Sequence, residues 1–70
     1  MFEQSFGSYL LSKKRAPGRL GDLAQAAARD PQFPRDGRPE DVARLLRHHR
    51  ALPEFHEAME DAVTEWQMLN

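Results

Sequence analysis

Between Leu52 and Trp66 the apolar residues recur at helical spacing, and this segment dictates most of what the chain can become. Leu52, Phe55, Met59, Ala62, Val63 and Trp66 fall within one narrow arc of a helix. Glu54, Glu57, Asp61 and Glu65 fall on the opposite side, with Glu60 at its edge. Pro53 suits a first helical turn, where its missing N–H costs nothing. Such a helix has to cover its apolar arc with other elements. It carries the only Trp and is expected to form one wall of a core.

The covering elements come from a short chain. Seventy residues, read as one helical domain over 1–70, lie near the lower size limit for folding on a single core. With 40% hydrophobic and 30% charged residues the composition is that of a globular chain, too apolar for disorder. There is no Cys, so neither a disulfide framework nor a thiolate metal site is available. No apolar run approaches the length needed to cross a bilayer. Met1-Phe2-Glu3-Gln4-Ser5 lacks the basic start and long apolar stretch of a secretory signal, and the expected location is the cytoplasm, with no membrane contact.

Breakers divide the chain into four helical segments. The first is expected over 3–14, with Phe2, Phe6, Tyr9, Leu10 and Lys13 on one face and Gln4 or Ser5 ordering the first turn. Lys13, Lys14 and Arg15 stand where cations suit a helix C-terminus, and Ala16-Pro17-Gly18 ends the run. The second, over 20–29, carries the small-residue stripe Leu20, Leu23, Ala24, Ala27 and Ala28, which favours close packing. Gly21 in it costs helicity on the order of 1 kcal/mol relative to Ala, less near the N-terminus. Residues 30–38 contain two prolines and a glycine and cannot continue a helix; Phe33 within them reads as an anchor to the core. The third helix, over 39–49, opens with Pro39-Glu40-Asp41. Val42, Leu45, Leu46 and His49 form its inward stripe, and Arg44, Arg47 and His48 face outward. His49 is expected at the core edge, bonded to a carbonyl. The fourth helix spans 53–67. The expected core is Phe6, Tyr9, Leu10, Leu20, Leu23, Ala27, Phe33, Val42, Leu45, Leu46, Phe55, Met59, Val63 and Trp66, in an all-α domain without repeats.

Three stretches resemble a known family. Ser5-Phe6-Gly7-Ser8-Tyr9-Leu10-Leu11 is similar to the S-F-x-x-Y-L-L opening of the small bacterial YozE-like proteins. Asp30-Pro31-Gln32-Phe33-Pro34 is similar to their D-x-x-F-P loop, and Phe55-His56-Glu57-Ala58-Met59 to the F-x-E-A start of their last helix. The resemblance covers roughly residues 5–66, in order and at compatible spacing. It implies a compact four-helix orthogonal bundle resembling the sterile alpha motif (SAM) fold. It implies no activity, since the family is one of unknown function, and supplies no catalytic or binding residues. The third helix departs from it in being Arg-rich, and Trp66 need not match a family aromatic.

The charge is segregated. Residues 1–50 hold all ten Lys and Arg against six Asp and Glu, a net +4, whereas residues 51–70 hold five acids and no Lys or Arg, a net −5. Such asymmetry bears on association rather than fold. Two candidate surfaces follow: a basic one of Arg44, Arg47, His48, Lys13, Lys14 and Arg15, and an acidic one of Glu54, Glu57, Asp61 and Glu65. The expected function is that of a non-catalytic interaction module, in which the basic patch of one copy meets the acidic face of another, or of another protein. The same charges within one monomer give surface ion pairs worth about 0–1 kcal/mol each. The alternative is weak nucleic-acid binding through the basic face of the third helix and the Lys13–Arg15 cluster. Against it stand an overall net charge of −1 and the lack of interleaved aromatics for stacking. The Pro/Gly linker is also too long for a helix-turn-helix.

Enzyme chemistry finds little material: three Ser, none in a nucleophile elbow, and three His. His56-Glu57-x-x-Glu60 has the helical spacing of a zinc protease pair, but Glu60 stands where the second His is needed. His48 and His49 are neighbours about 100 degrees apart on a helix and cannot chelate one ion together. No catalytic residue, metal, cofactor or small-molecule substrate is expected.

Overall fold

The breakers act where the sequence places them. The computed structural model describes residues 4–69. It contains α1 (Phe6–Leu11), α2 (Gly18–Arg29), α3 (Pro39–His48) and α4 (Pro53–Leu69), with no strand among the described residues. Phe2 and Glu3, assigned above to the first helix, lie outside the described residues. The chain is an all-α four-helix bundle.

α1 is shorter than its periodicity predicts. Its start is fixed by Ser5, whose Oγ accepts the Ser8 N–H at 3.2 Å and so caps the first turn. Its end comes at Leu11 rather than near Lys14. The Ser12 hydroxyl donates to the Tyr9 carbonyl at 2.6 Å, and the Lys13 N–H reaches Leu10 O at 3.0 Å. These three-residue steps tighten the backbone and draw it off the α-helical path. Lys13 then lies with its Nζ 4.9 Å from the centre of the Tyr9 ring.

α2 begins two residues earlier than predicted. Pro17 is extended, and Gly18, at φ 73°, turns the chain into the helix at a torsion other residues resist. α3 stops one residue early, at His48, for a reason given below. α4 runs two residues beyond the expected end, to Leu69.

The core joins Phe6 and Leu10 of α1, Leu23, Ala24 and Ala27 of α2, Val42 of α3, and Ala58, Met59 and Ala62 of α4. Tyr9 and Phe33 are also buried, so Phe33 is the loop anchor its setting suggests. Leu20, Leu45, Leu46, Phe55, Val63 and Trp66 pack half-buried around this centre. The inward face of α4 is thus rotated from the arc of its large residues toward Ala58 and Ala62. α2 and α4 form the most extensive helix pair, and buried alanines on both let the backbones come close. Leu52 is a correction: it precedes the helix and stands 57% exposed. Trp66 lies edge-on to Phe6, ring centroids 5.7 Å apart, and its indole N–H donates to the Gln4 carbonyl at 2.7 Å. That bond satisfies the polar atom of a half-buried aromatic.

Gly21, a liability by propensity alone, is required by packing. A Cβ added there meets the Ala16 carbonyl oxygen at 1.8 Å, a backbone atom that cannot swing away. Gly21→Ala is therefore expected to destabilise the fold by about 2 kcal/mol or more, against the gain of up to about 1 kcal/mol that helix propensity alone predicts. Thermal unfolding followed by circular dichroism checks the sign; a raised Tm contradicts the packing account.

Candidate functional site

Two surfaces are built from these elements, one foreseen and one not. The acidic residues of α4 recur every three or four positions and so line one side of the helix. Glu54, Glu57, Asp61 and Glu65 border a shallow groove of about 700 Å³, with Arg19 and Leu20 of α2 and Ala58 and Thr64 of α4 completing it. Arg19 is the one basic residue there, and its guanidinium is shared between Asp22 at 3.9 Å and Glu54 at 3.8 Å. Glu57, Asp61 and Glu65 form no ion pair among the described residues.

The basic residues are not gathered in the same way. Arg44 and His48 border a separate shallow groove with Gln32, Pro34, Asp41 and Leu45. Arg44 is partly neutralised by Asp41 at 3.3 Å, which also accepts the Arg38 N–H at 3.0 Å as a cap of α3. Arg47 is exposed. Lys13, Lys14 and Arg15 occupy the turn between α1 and α2, where the Lys14 carbonyl accepts the Gln25 side-chain amide at 2.9 Å.

The unforeseen surface arises because α2 and α3 are the one pair of helices whose backbones do not come close. The gap between them is an apolar groove of about 400 Å³. Leu23, Ala26 and Ala27 form its α2 wall and Val42, Leu45 and Leu46 its α3 wall, with Phe33 and Phe55 between. Asp30, His49, Arg50, Ala51 and Leu52 complete the lining.

The polar part of this rim is set by the way α3 ends. The Ala51 N–H returns to Leu46 O at 3.0 Å and the Arg50 N–H to Arg47 O at 3.1 Å, the paired bonds of a Schellman motif. Arg50 takes the left-handed position, φ 55°, which Gly usually fills. His49 stays on the helical path, its N–H bonded to Leu45 O at 3.0 Å, and lines the groove with Val42, Leu45 and Leu46. It is exposed, and its Nε2 faces Asp30 Oδ2 at 3.2 Å, so its partner is a carboxylate and not the carbonyl expected from the sequence. The His48 and His49 rings stand 5.4 Å apart and edge to face. No cluster of three His, Asp or Glu suited to a metal ion occurs among the described residues. Among the described residues no helix is long and apolar enough to cross a membrane.

Sequence reasoning missed the α2–α3 groove and its lining residues Ala26, Ala51 and Arg50, and it placed Leu52 in the α4 arc instead of at this rim. Ala26 is an apolar position next to a stripe already read, but periodicity does not reveal that two helices stay apart. No family model matches the chain, nor does any curated protein or solved structure.

The strained cap offers a direct test. Arg50→Gly relieves the left-handed torsion at the cost of a more flexible unfolded chain, a net gain expected at about 0.5–1 kcal/mol. That corresponds to a rise of several degrees in Tm, on the order of 4–8 °C per kcal/mol for a domain of this size. An unchanged or lowered Tm contradicts the strain assigned to this residue.

Proposed function

We propose that the chain is a non-catalytic interaction module that associates with proteins through the acidic face of α4. One observation carries the reading: Glu57, Asp61 and Glu65 line a single groove and form no ion pair among the described residues, the groove's Arg19 being shared between Asp22 and Glu54. Three fixed carboxylates along one helix side, about one turn apart, present a regular row to a basic surface. The partner supplies Lys or Arg side chains, either from another protein or from the basic half of a second copy. Rim contacts of this kind add association rate and selectivity more than raw affinity, and they weaken with salt.

The resemblance to the YozE-like proteins fits a scaffold role. Phe6, Tyr9, Leu10, Phe33 and Met59, which lie within the three similar stretches, are core residues here. A SAM-like bundle is part of the same proposal. Nucleic-acid binding has less to support it, because Arg44 already has a carboxylate partner in Asp41.

The test uses a Lys/Arg-rich peptide and a labelled DNA duplex as probes, each titrated into the full chain at low and high salt. The peptide is expected to bind in a salt-sensitive way, and Glu57→Lys with Asp61→Lys to weaken it at least about tenfold. Asp36→Lys, an exposed charge reversal off this face, serves as the control and should change binding far less. Equal peptide binding by the double variant overturns the assignment. DNA binding that is lost in Arg44→Ala with Arg47→Ala, and indifferent to Glu57 and Asp61, transfers the function to nucleic acid.

A further inference from the structure

The large exposed apolar residues among those described are three: Leu52 at 57%, Met68 at 81% and Leu69 at 73%. They stand at the two ends of one helix. Leu52 borders the apolar groove just before α4 begins, and Met68 and Leu69 form its last turn. We propose that the groove between α2 and α3 receives the Met68–Leu69 end of α4 from a second copy of this chain. The inference rests on reading the chain as an association module, but it uses a different surface and names the partner.

The fit is chemical at two levels. The groove is walled by apolar side chains such as Leu23, Leu46 and Phe55, and the helix end offers two flexible apolar ones; Met in particular adapts to irregular gaps. Charge complements this contact. Glu65 lies one turn before Leu69, and the last turn of α4 has no basic residue to offset the negative end of the helix dipole. At the groove, Asp30 is engaged by His49, which leaves Arg50 as the exposed cation with no ion pair among the described residues. Arg50 is placed to meet Glu65 of the incoming helix.

A chain cannot make this contact with itself. Seventeen helical residues span roughly 25 Å, and the groove lies at the N-terminal end of the helix whose C-terminal end it is to receive. The contact is therefore head to tail between copies, and each one leaves a groove free at one end and a helix tip free at the other.

Sedimentation velocity on the full chain, over a range of concentrations, tests this with two complementary variants. Ala26→Glu places a charge in the groove from an exposed helical position. Met68→Asp with Leu69→Asp removes the apolar tip. The parent chain is expected to gain mass with concentration, and each variant to associate at least about tenfold more weakly. Mixed in equal amounts, the two variants should form a discrete dimer, because the groove of one and the tip of the other remain intact. Circular dichroism verifies folding, and Leu52→Glu replaces Ala26→Glu as the groove variant if the latter unfolds. A monomeric parent, single variants that assemble like the parent, or a mixture that stays monomeric each overturns the inference. Self-association lost in Glu57→Lys with Asp61→Lys but retained in Ala26→Glu also overturns it while leaving the acidic-face reading in place. Loss in Ala26→Glu with peptide binding intact supports it independently of that reading.

Discussion

Burial of Phe6 is the constraint on which the remaining geometry depends. α1 has six residues, too few to hold a helix in water without outside support. It persists because Phe6 and Leu10 are fully excluded from solvent and because its backbone is fastened to the connecting loop. The Gly7 N–H donates to Gly37 O at 3.1 Å, and the Ser5 hydroxyl donates to Arg35 O at 3.3 Å. At Gly7 a Cβ would lie 2.3 Å from the Pro34 carbonyl oxygen, so the loop and α1 meet backbone to backbone. Phe6 itself touches Trp66 near the far end of α4 and stacks toward Tyr9 at 6.4 Å. One side chain therefore links α1 to the end of the longest helix, while the hydrogen bonds around it fix the loop that launches α3.

That arrangement explains the open groove. α3 is held by α1 on one side and α4 on the other, and neither contact draws it onto α2. Phe33 bridges beneath, but it comes from a loop whose turns, Phe33 N–H to Asp30 O and Gly37 N–H to Pro34 O, limit its reach. A domain of 70 residues has little apolar burial to spare, at roughly 25 cal/mol per Å². Ala26 and Ala27 on the α2 wall leave space that larger side chains would fill. Leaving this wall uncovered is costly to a small fold unless something outside the chain covers it.

Much of the fold was legible because amphipathic period and breaker chemistry are local. Phe6, Tyr9, Leu10, Leu23, Ala27, Val42 and Met59 are core by spacing and Phe33 by its setting among breaker residues, and all are buried. The failures have one origin, the choice between backbone paths that only tertiary contacts decide. Gly21 looked like a weakness because its value lies in the approach of Ala16, five residues upstream and outside the helix. His49 looked inward because it continues the stripe of Val42, Leu45 and Leu46, but the groove that this stripe lines is open and leaves the imidazole exposed. Ala58 was passed over because a small side chain carries little weight in a hydrophobic pattern, although it is what lets α4 sit close to α2. Four carboxylates on one helix need no tertiary contact to share a side, whereas Lys13–Arg15 and the α3 arginines belong to separate elements whose relative placement no period encodes.

The separation of charge along the sequence takes on a physical meaning once α4 is placed. Were the acidic helix packed for neutralisation, basic side chains of the first fifty residues would pair with it, and among the described residues only Arg19 does. Arg44 is paired instead with Asp41 on its own helix. Internal compensation thus stops short of the α4 face, and an uncompensated row of carboxylates repels any second copy that approaches in the same orientation. Symmetric pairing of two acidic faces is disfavoured on these grounds alone. Contacts that bring unlike regions together avoid this repulsion, whether the other side is a basic protein or the Arg50 end of another copy. In the association proposed above, the charge pattern selects the orientation, and the apolar groove and helix tip supply the close contact that charge cannot.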